Sequence, residues 1–340
     1  MDRSLAANNR VLWLDVFKGI GIVLIVLGHI YRGQTLLNWF YTFHVALFFF
    51  ASGWLYREKE ICRDIFRRIR TIVVPYFVLG LLIWVYWVFI ERRFRAVSTT
   101  PAKALLALLL GEYPLLDPFH SHLWFLPCFF ITSILYNVLR RTVGKSGTLA
   151  AVCVMSGLYI AESFTSFRIP VLPWGLDRAC WYIAFFYLGN MTHESGITDR
   201  LSQWNPSFSG ICALVCFCIG FTGSVFLPWS GIRWYLLGVI GIGGTMFSSL
   251  GICAVCTPRI LRRLGQTTLV ILCVHGPIYR ILVKLLAMLI HTDTEAVRSS
   301  LPLALLIAAV TLALCQAVYW ALDRFVPWSI GRSAPRKSAS

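Results

Sequence analysis

Charge is what this sequence has least of. Only 14% of its 340 residues are charged, acidic side chains number 15, and mean hydropathy is +0.71. A soluble domain of this length could not hide so much apolar surface, so the composition excludes one and points to a polytopic membrane protein. No internal repeat is present. The apolar runs are continuous and about 20 residues long, which selects a helix bundle over a closed barrel. There is no soluble basic face, so the net charge of +16 does not indicate nucleic-acid binding. Cys253 and Cys256 have no second CxxC pair to complete a zinc or redox centre, and most of the 11 cysteines lie in apolar runs rather than in a disulfide framework. No small-residue cleavage site follows the first apolar run, so an uncleaved first span is expected. No strand precedes the glycine-rich run 238–244, which therefore reads as close helix packing rather than a nucleotide loop.

What is present is a series of about ten apolar segments: 12–31, 36–56, 71–90, 120–139, 147–164, 171–191, 207–227, 234–256, 267–290 and 301–323. The expected fold is all-α, with residues 1–328 as one integral-membrane domain and 329–340 as a disordered cytoplasmic tail. Segment 101–119 is too short to cross and is expected to lie at the outer interface or to re-enter. With the N-terminus inside, inner loops and tails hold 19 Lys and Arg and outer loops 8, so both termini are expected in the cytoplasm.

Ionisable residues inside spans are expensive and call for a reason. The first span carries Asp15, Lys18 and His29. Lys18 and His29 are about 16 Å apart along a helix, near opposite membrane surfaces. His44, His122 and Asp177 come from distant segments yet fall in the same outer half as His29, and His275 falls in mid-span. Each alone reads most simply as a packing or headgroup residue. Their convergence is what suggests chemistry, because a neutral imidazole near a carboxylate is a suitable base for removing a hydroxyl proton. On the inner side, Arg57, Arg63, Arg67, Arg68 and Arg70 form a dense basic run. Such a run serves as a topology signal and anionic-lipid contact, or as a cradle for a phosphorylated ligand.

These residues resemble a known group. Lys18, a ten-residue gap and His29, within LDVFKGIGIVLIVLGH, are similar to the opening motif of the membrane-bound acyltransferase 3 family. FHVALFFFASG, the Arg63–Arg67 spacing, RRIRTIVVPYF, HLWFLP and LGQTTLVILCVHGP resemble its later signatures, in the family's order. The nearest branch is that of fucose 4-O-acetylase-like and exopolysaccharide O-acetyltransferases. The resemblance implies an O-acyltransferase that moves acetyl from cytoplasmic acetyl-CoA to a hydroxyl of a surface or exported carbohydrate. It implies a multi-pass protein of the bacterial inner membrane, in contact with membrane lipids and with no metal or prosthetic group. Carried over, His29 is the catalytic histidine; in the mechanism expected from these residues, Asp177, His44 or His122 orients groups on the outer side. Lys18, Arg63 and Arg67 are donor-binding, and Arg68 and Arg70 are further candidates for that role. The rival class is a transporter of glycan or lipid-linked sugar, since buried His, Asp and Lys also suit a substrate path.

Overall fold

In lipid, every backbone N–H and C=O must be satisfied inside the protein, and the apolar runs accordingly fold as helices. The structure, a computed structural model, describes residues 11–95, 99–111 and 121–332. Among these, nine helices are long and apolar enough to cross a membrane. The first is α1, Leu12–Ile30. The second span divides into α2, Gln34–Phe43, and α3, Ala46–Trp54. It breaks at His44, whose ring Nδ1 donates to the Phe40 carbonyl at 2.6 Å. The third comprises α4, Ile61–Arg68, a π-helical turn, Ile69–Val73, and α5, Val74–Phe89. The wider turn falls just before Pro75, where the N–H needed to continue an α register is missing.

The short helix α6, Pro101–Leu110, ends at left-handed Gly111. It has too few residues to span, as expected for this segment; residues 112–119 lie outside the described residues. There follow α7, Phe125–Thr142, α8, Gly144–Glu162, and α9, Leu176–Glu194. The expected sixth span began at 171, but Trp174 and Gly175 both take left-handed backbone, so α9 starts five residues later. Helix α9 is long enough to span but is not among the nine apolar ones. It carries Asp177, Arg178, Asn190 and His193, and it packs against α3, α7 and α8. The chain continues through α10, Pro206–Phe226, α11, Gly231–Val255, and the short α12, Arg259–Gln266. It closes with α13, Thr268–Leu289, α14, Thr294–Ser299, and α15, Leu301–Phe325. Residues 333–340, most of the expected tail, lie outside the described residues, and Pro327–Ile330 form a short turn with Ser329 buried.

Helix α1 is the bundle's axis. It packs against α3, α11, α12, α13 and α15 and is largely buried, whereas α8 and α10 turn most of their surface outward. Its closest neighbour is α12. A Cβ on Gly19 would overlap the carbonyl oxygen of Leu261, and one on Gly265 would overlap that of Asp15. Without a hydrophobic drive between helices in lipid, such small-residue contacts supply much of the packing. The approach also brings Gln266 Nε2 to Asp15 Oδ2 at 2.8 Å.

Gly265→Val should therefore cost about 1–3 kcal/mol by overpacking and lower the melting temperature in detergent. Gly157→Ala, in an α8 position with nothing within 4 Å of the new methyl, should be neutral or stabilising. Equal melting temperatures for the two variants would contradict the α1–α12 contact.

Candidate functional site

The site is built at the C-terminal end of α1. A helix leaves its last carbonyls without intrahelical donors. Here Tyr41 Oη donates to the Gly28 carbonyl at 3.1 Å. Arg298, on α14, donates to the carbonyls of His29 at 2.8 Å and Ile30 at 2.9 Å. A guanidinium at this position also complements the negative end of the helix dipole. The backbone that carries His29 is thus held by groups from two other elements.

The half-buried ring of His29 meets two buried imidazoles. His122 lies 3.6 Å away between ring centroids, edge to face, and His275 lies 5.4 Å away, with 4.6 Å between His122 and His275. His275 Nδ1 lies 2.9 Å from the carbonyls of both Ile271 and Leu272. A carbonyl can only accept, so Nδ1 carries a proton and donates to them. His29 and His122 line a cavity of about 590 Å³, and His275 packs behind them. His44 lines the same cavity, with its ring 4.9 Å from that of Tyr41. Sequence reasoning placed His275 in mid-span but did not assign it to the site; its only signal was the HGP tripeptide. Arg298 and Tyr41 carried no signal at all.

Asp177 is not brought to the cavity. Its Oδ1 accepts from the Leu172 amide at 3.2 Å, which secures the stretch of chain entering α9. The adjacent Arg178 lines the cavity instead and lies over the Trp124 ring at 4.6 Å.

A second cavity, of about 230 Å³, opens beside Lys18. Lys18 pairs with Asp15 at 2.9 Å. The walls are apolar, including Ile22, Phe48 and Phe129. Two residues, Phe125 and Leu272, line both cavities. The lysine cavity and the histidine cavity therefore meet across one pair of apolar side chains, alongside α1.

The basic run sits near the lysine cavity through Ile72 of the π-helical turn, which lines it. Glu60 caps α4 by accepting from the amides of Cys62 and Arg63, and these bonds hold its carboxyl below the usual carboxylate range. Buried Asp64 accepts from Arg67 at 2.8 Å and from Arg68 at 2.9 Å. Arg68 is itself buried, while Arg63, Arg67 and Arg70 are exposed. Arg68 thus braces the segment, and the other three present charge to solvent.

Could the three imidazoles hold a metal? Their ligand atoms lie within 4.8 Å of one another. Zinc–nitrogen bonds of about 2.0–2.1 Å would require them to close further. The same cavity is lined by Arg32, Arg95, Arg178, Arg280 and Arg298, and guanidiniums oppose a dication. The set fits proton transfer better than metal binding.

Against known proteins, a family model described as an acyltransferase domain, acyltransferase 3, matches residues 11–320. The chain belongs to this acyltransferase family. As a member it is a multi-pass membrane acyltransferase. The acyltransferase is also similar to nodulation protein NolL of Mesorhizobium japonicum, at 25% identity over 307 residues, covering 81% of this chain and 78% of that protein. No solved structure matches it.

In this acyltransferase, Asp64→Leu should be strongly destabilising, by about 3–5 kcal/mol, because it leaves the buried Arg68 uncompensated. The double variant Asp64→Leu/Arg68→Met should recover most of the loss. Thermal unfolding in detergent reads both, and no recovery in the double variant would show that the pair does not act as a unit.

Proposed function

We propose that this acyltransferase moves an acetyl group from acetyl-CoA, approaching from the cytosol, to a hydroxyl of a carbohydrate held on the other side of the bilayer. The observation that carries this reading is the meeting of two cavities at Phe125 and Leu272, one beside Lys18 and the other around His29. The excess of Lys and Arg in loops at the Lys18 end assigns that end to the cytosol. The source of the similar NolL protein is in keeping with a bacterial inner membrane.

Arg63, Arg67 and Arg70 offer forked donors for the phosphates of the donor, and Arg68 keeps their helix in place. The apolar lysine cavity suits the pantetheine arm and thioester, with Lys18 at its mouth. In the histidine cavity, His29 takes the proton from the acceptor hydroxyl as that oxygen attacks the thioester carbon. The C–O bond forms, the C–S bond breaks, and the proton passes from the imidazolium to the leaving thiolate. His122 and His275 fix the orientation of His29, and His44 lines the acceptor side with Tyr41. Asp177 acts through the chain that places Arg178. Membrane lipid surrounds the bundle and a carbohydrate is the acceptor partner.

The break in the second span at His44 would also suit a transporter. Detergent-purified protein separates the two readings, because a transporter yields no product where there are no compartments. Labelled acetyl should move from acetyl-CoA to carbohydrate, and His29→Ala should reduce the rate by about 100-fold or more while the protein remains folded. Unchanged transfer would remove His29 from the mechanism.

The junction gives a separate test. Leu272→Trp should plug the contact between the cavities and depress transfer, with acetyl-CoA binding retained. Phe125→Ala should widen it and raise the use of longer acyl donors relative to acetyl. Donor profiles unchanged in both variants would show that the acyl group does not pass between these side chains.

A further inference from the structure

The lining of the histidine cavity has an unusual chemistry for a neutral sugar. Five of its residues are arginines: Arg32, Arg95, Arg178, Arg280 and Arg298. Among the described residues of the lining, none is Asp, Glu, Asn or Gln. Sugar hydroxyls both donate and accept, and guanidinium only donates. A site for a neutral saccharide would need side-chain acceptors that this lining supplies only through imidazoles and phenols.

The positive charge is only partly offset. Glu91, buried behind the wall, pairs with Arg280 at 2.9 Å and with Arg95 at 3.3 Å. Arg298 donates to the neutral carbonyls of His29 and Ile30. Asp177, next to Arg178, and Glu295, on α14 with Arg298, lie outside the lining. Among the described residues, these three carboxylates are fewer than the five guanidiniums of the lining. Arg178, Arg280 and Arg298 are half-buried, so their field acts inside a low-dielectric vestibule rather than in open water. Trp124, which carries Arg178 over its ring, and Trp181, stacked on Tyr159, form the aromatic part of the lining.

We propose that the acceptor is an anion: a saccharide that carries a phosphate or carboxylate group, held by these arginines while a neighbouring hydroxyl reaches His29. This rests on the reading of the histidine cavity as the acceptor site. The shared chemistry is an oxyanion on the sugar, and its source is either a uronic-acid carboxylate or a sugar phosphate.

The test uses the full chain in detergent, with tryptophan fluorescence titrated by methyl glucoside, glucuronate and glucose 1-phosphate. One or both anions should bind about tenfold or more tighter than methyl glucoside, with the difference shrinking as salt rises. The stronger anion identifies the group. R32Q/R178Q should lose the difference and R32K/R178K should keep part of it; neither double substitution touches the Glu91 pairs or the cap on α1. Equal binding of all three sugars overturns the proposal. A second arm compares acetyl-CoA with S-acetylpantetheine as donor. If R32Q/R178Q raises KM for acetyl-CoA alone, the arginines hold donor phosphates and the proposal fails. If anions bind selectively but neither donor yields product, the acyl-transfer reading fails while the anion site stands. Transfer to neutral and anionic sugars with equal kcat/KM would do the opposite, overturning the anionic acceptor and leaving acyl transfer in place.

Discussion

The structure depends on satisfying the polar groups of one buried helix. Helix α1 runs through the middle of the bundle, where an unpartnered charge or carbonyl costs several kcal/mol. Each polar feature along it is therefore met by a specific group. Asp15 is shared by Lys18 and Gln266 near one end. Tyr41 and Arg298 cover the last carbonyls at the other. The glycines at the α12 crossing allow the first set of contacts, because Gln266 reaches Asp15 only if the backbones nearly touch. The same contacts that make α1 tolerable in lipid also fix Lys18 in one cavity and His29 in the other.

Features encoded locally were legible in the amino-acid order. Runs of apolar residues marked the spans, and the short stretch at 101–110 was recognisably too short. Lys18 and His29 stood out because a charged or titratable residue inside a span is costly wherever it packs. Features that depend on which helix meets which were not legible. His275 looked like any mid-span histidine until α13 was seen to place it 5.4 Å from His29. Arg298 read as one loop charge among many, although it caps a helix nearly 270 positions earlier in the chain. Asp177 shows the converse. A carboxylate at the right depth suggested a partner for histidine, but two left-handed residues before α9 turn it toward its own loop and present Arg178 instead. Depth can be read from a sequence; azimuth around a helix bundle depends on tertiary packing.

The basic run near the Lys18 end shows a similar division. By composition its arginines are equivalent. In the fold, Asp64 separates them, holding buried Arg68 as a brace and leaving Arg63, Arg67 and Arg70 on the exposed side. Two neighbouring positions in a basic run can thus have different roles, one keeping the helix in place and one on the exposed side.

The two cavities impose an order on any transfer between them. An activated acyl thioester that met water and histidine in one open chamber would hydrolyse as readily as it would acylate a sugar. Here, among the described residues, Phe125 and Leu272 line both the polar and the apolar chamber. In the proposed transfer, an acyl group small enough to slide between an aromatic ring and a leucine would reach His29 while the bulk of its carrier stayed among apolar walls. The arginine-rich chamber, read as the acceptor site, complements this arrangement. In the proposed reaction it would concentrate an anionic acceptor beside the junction, in competition with water for the carbonyl carbon. Five guanidiniums line one chamber and mostly apolar side chains, with Lys18, line the other, so the proposed acceptor site and donor path have distinct chemistries.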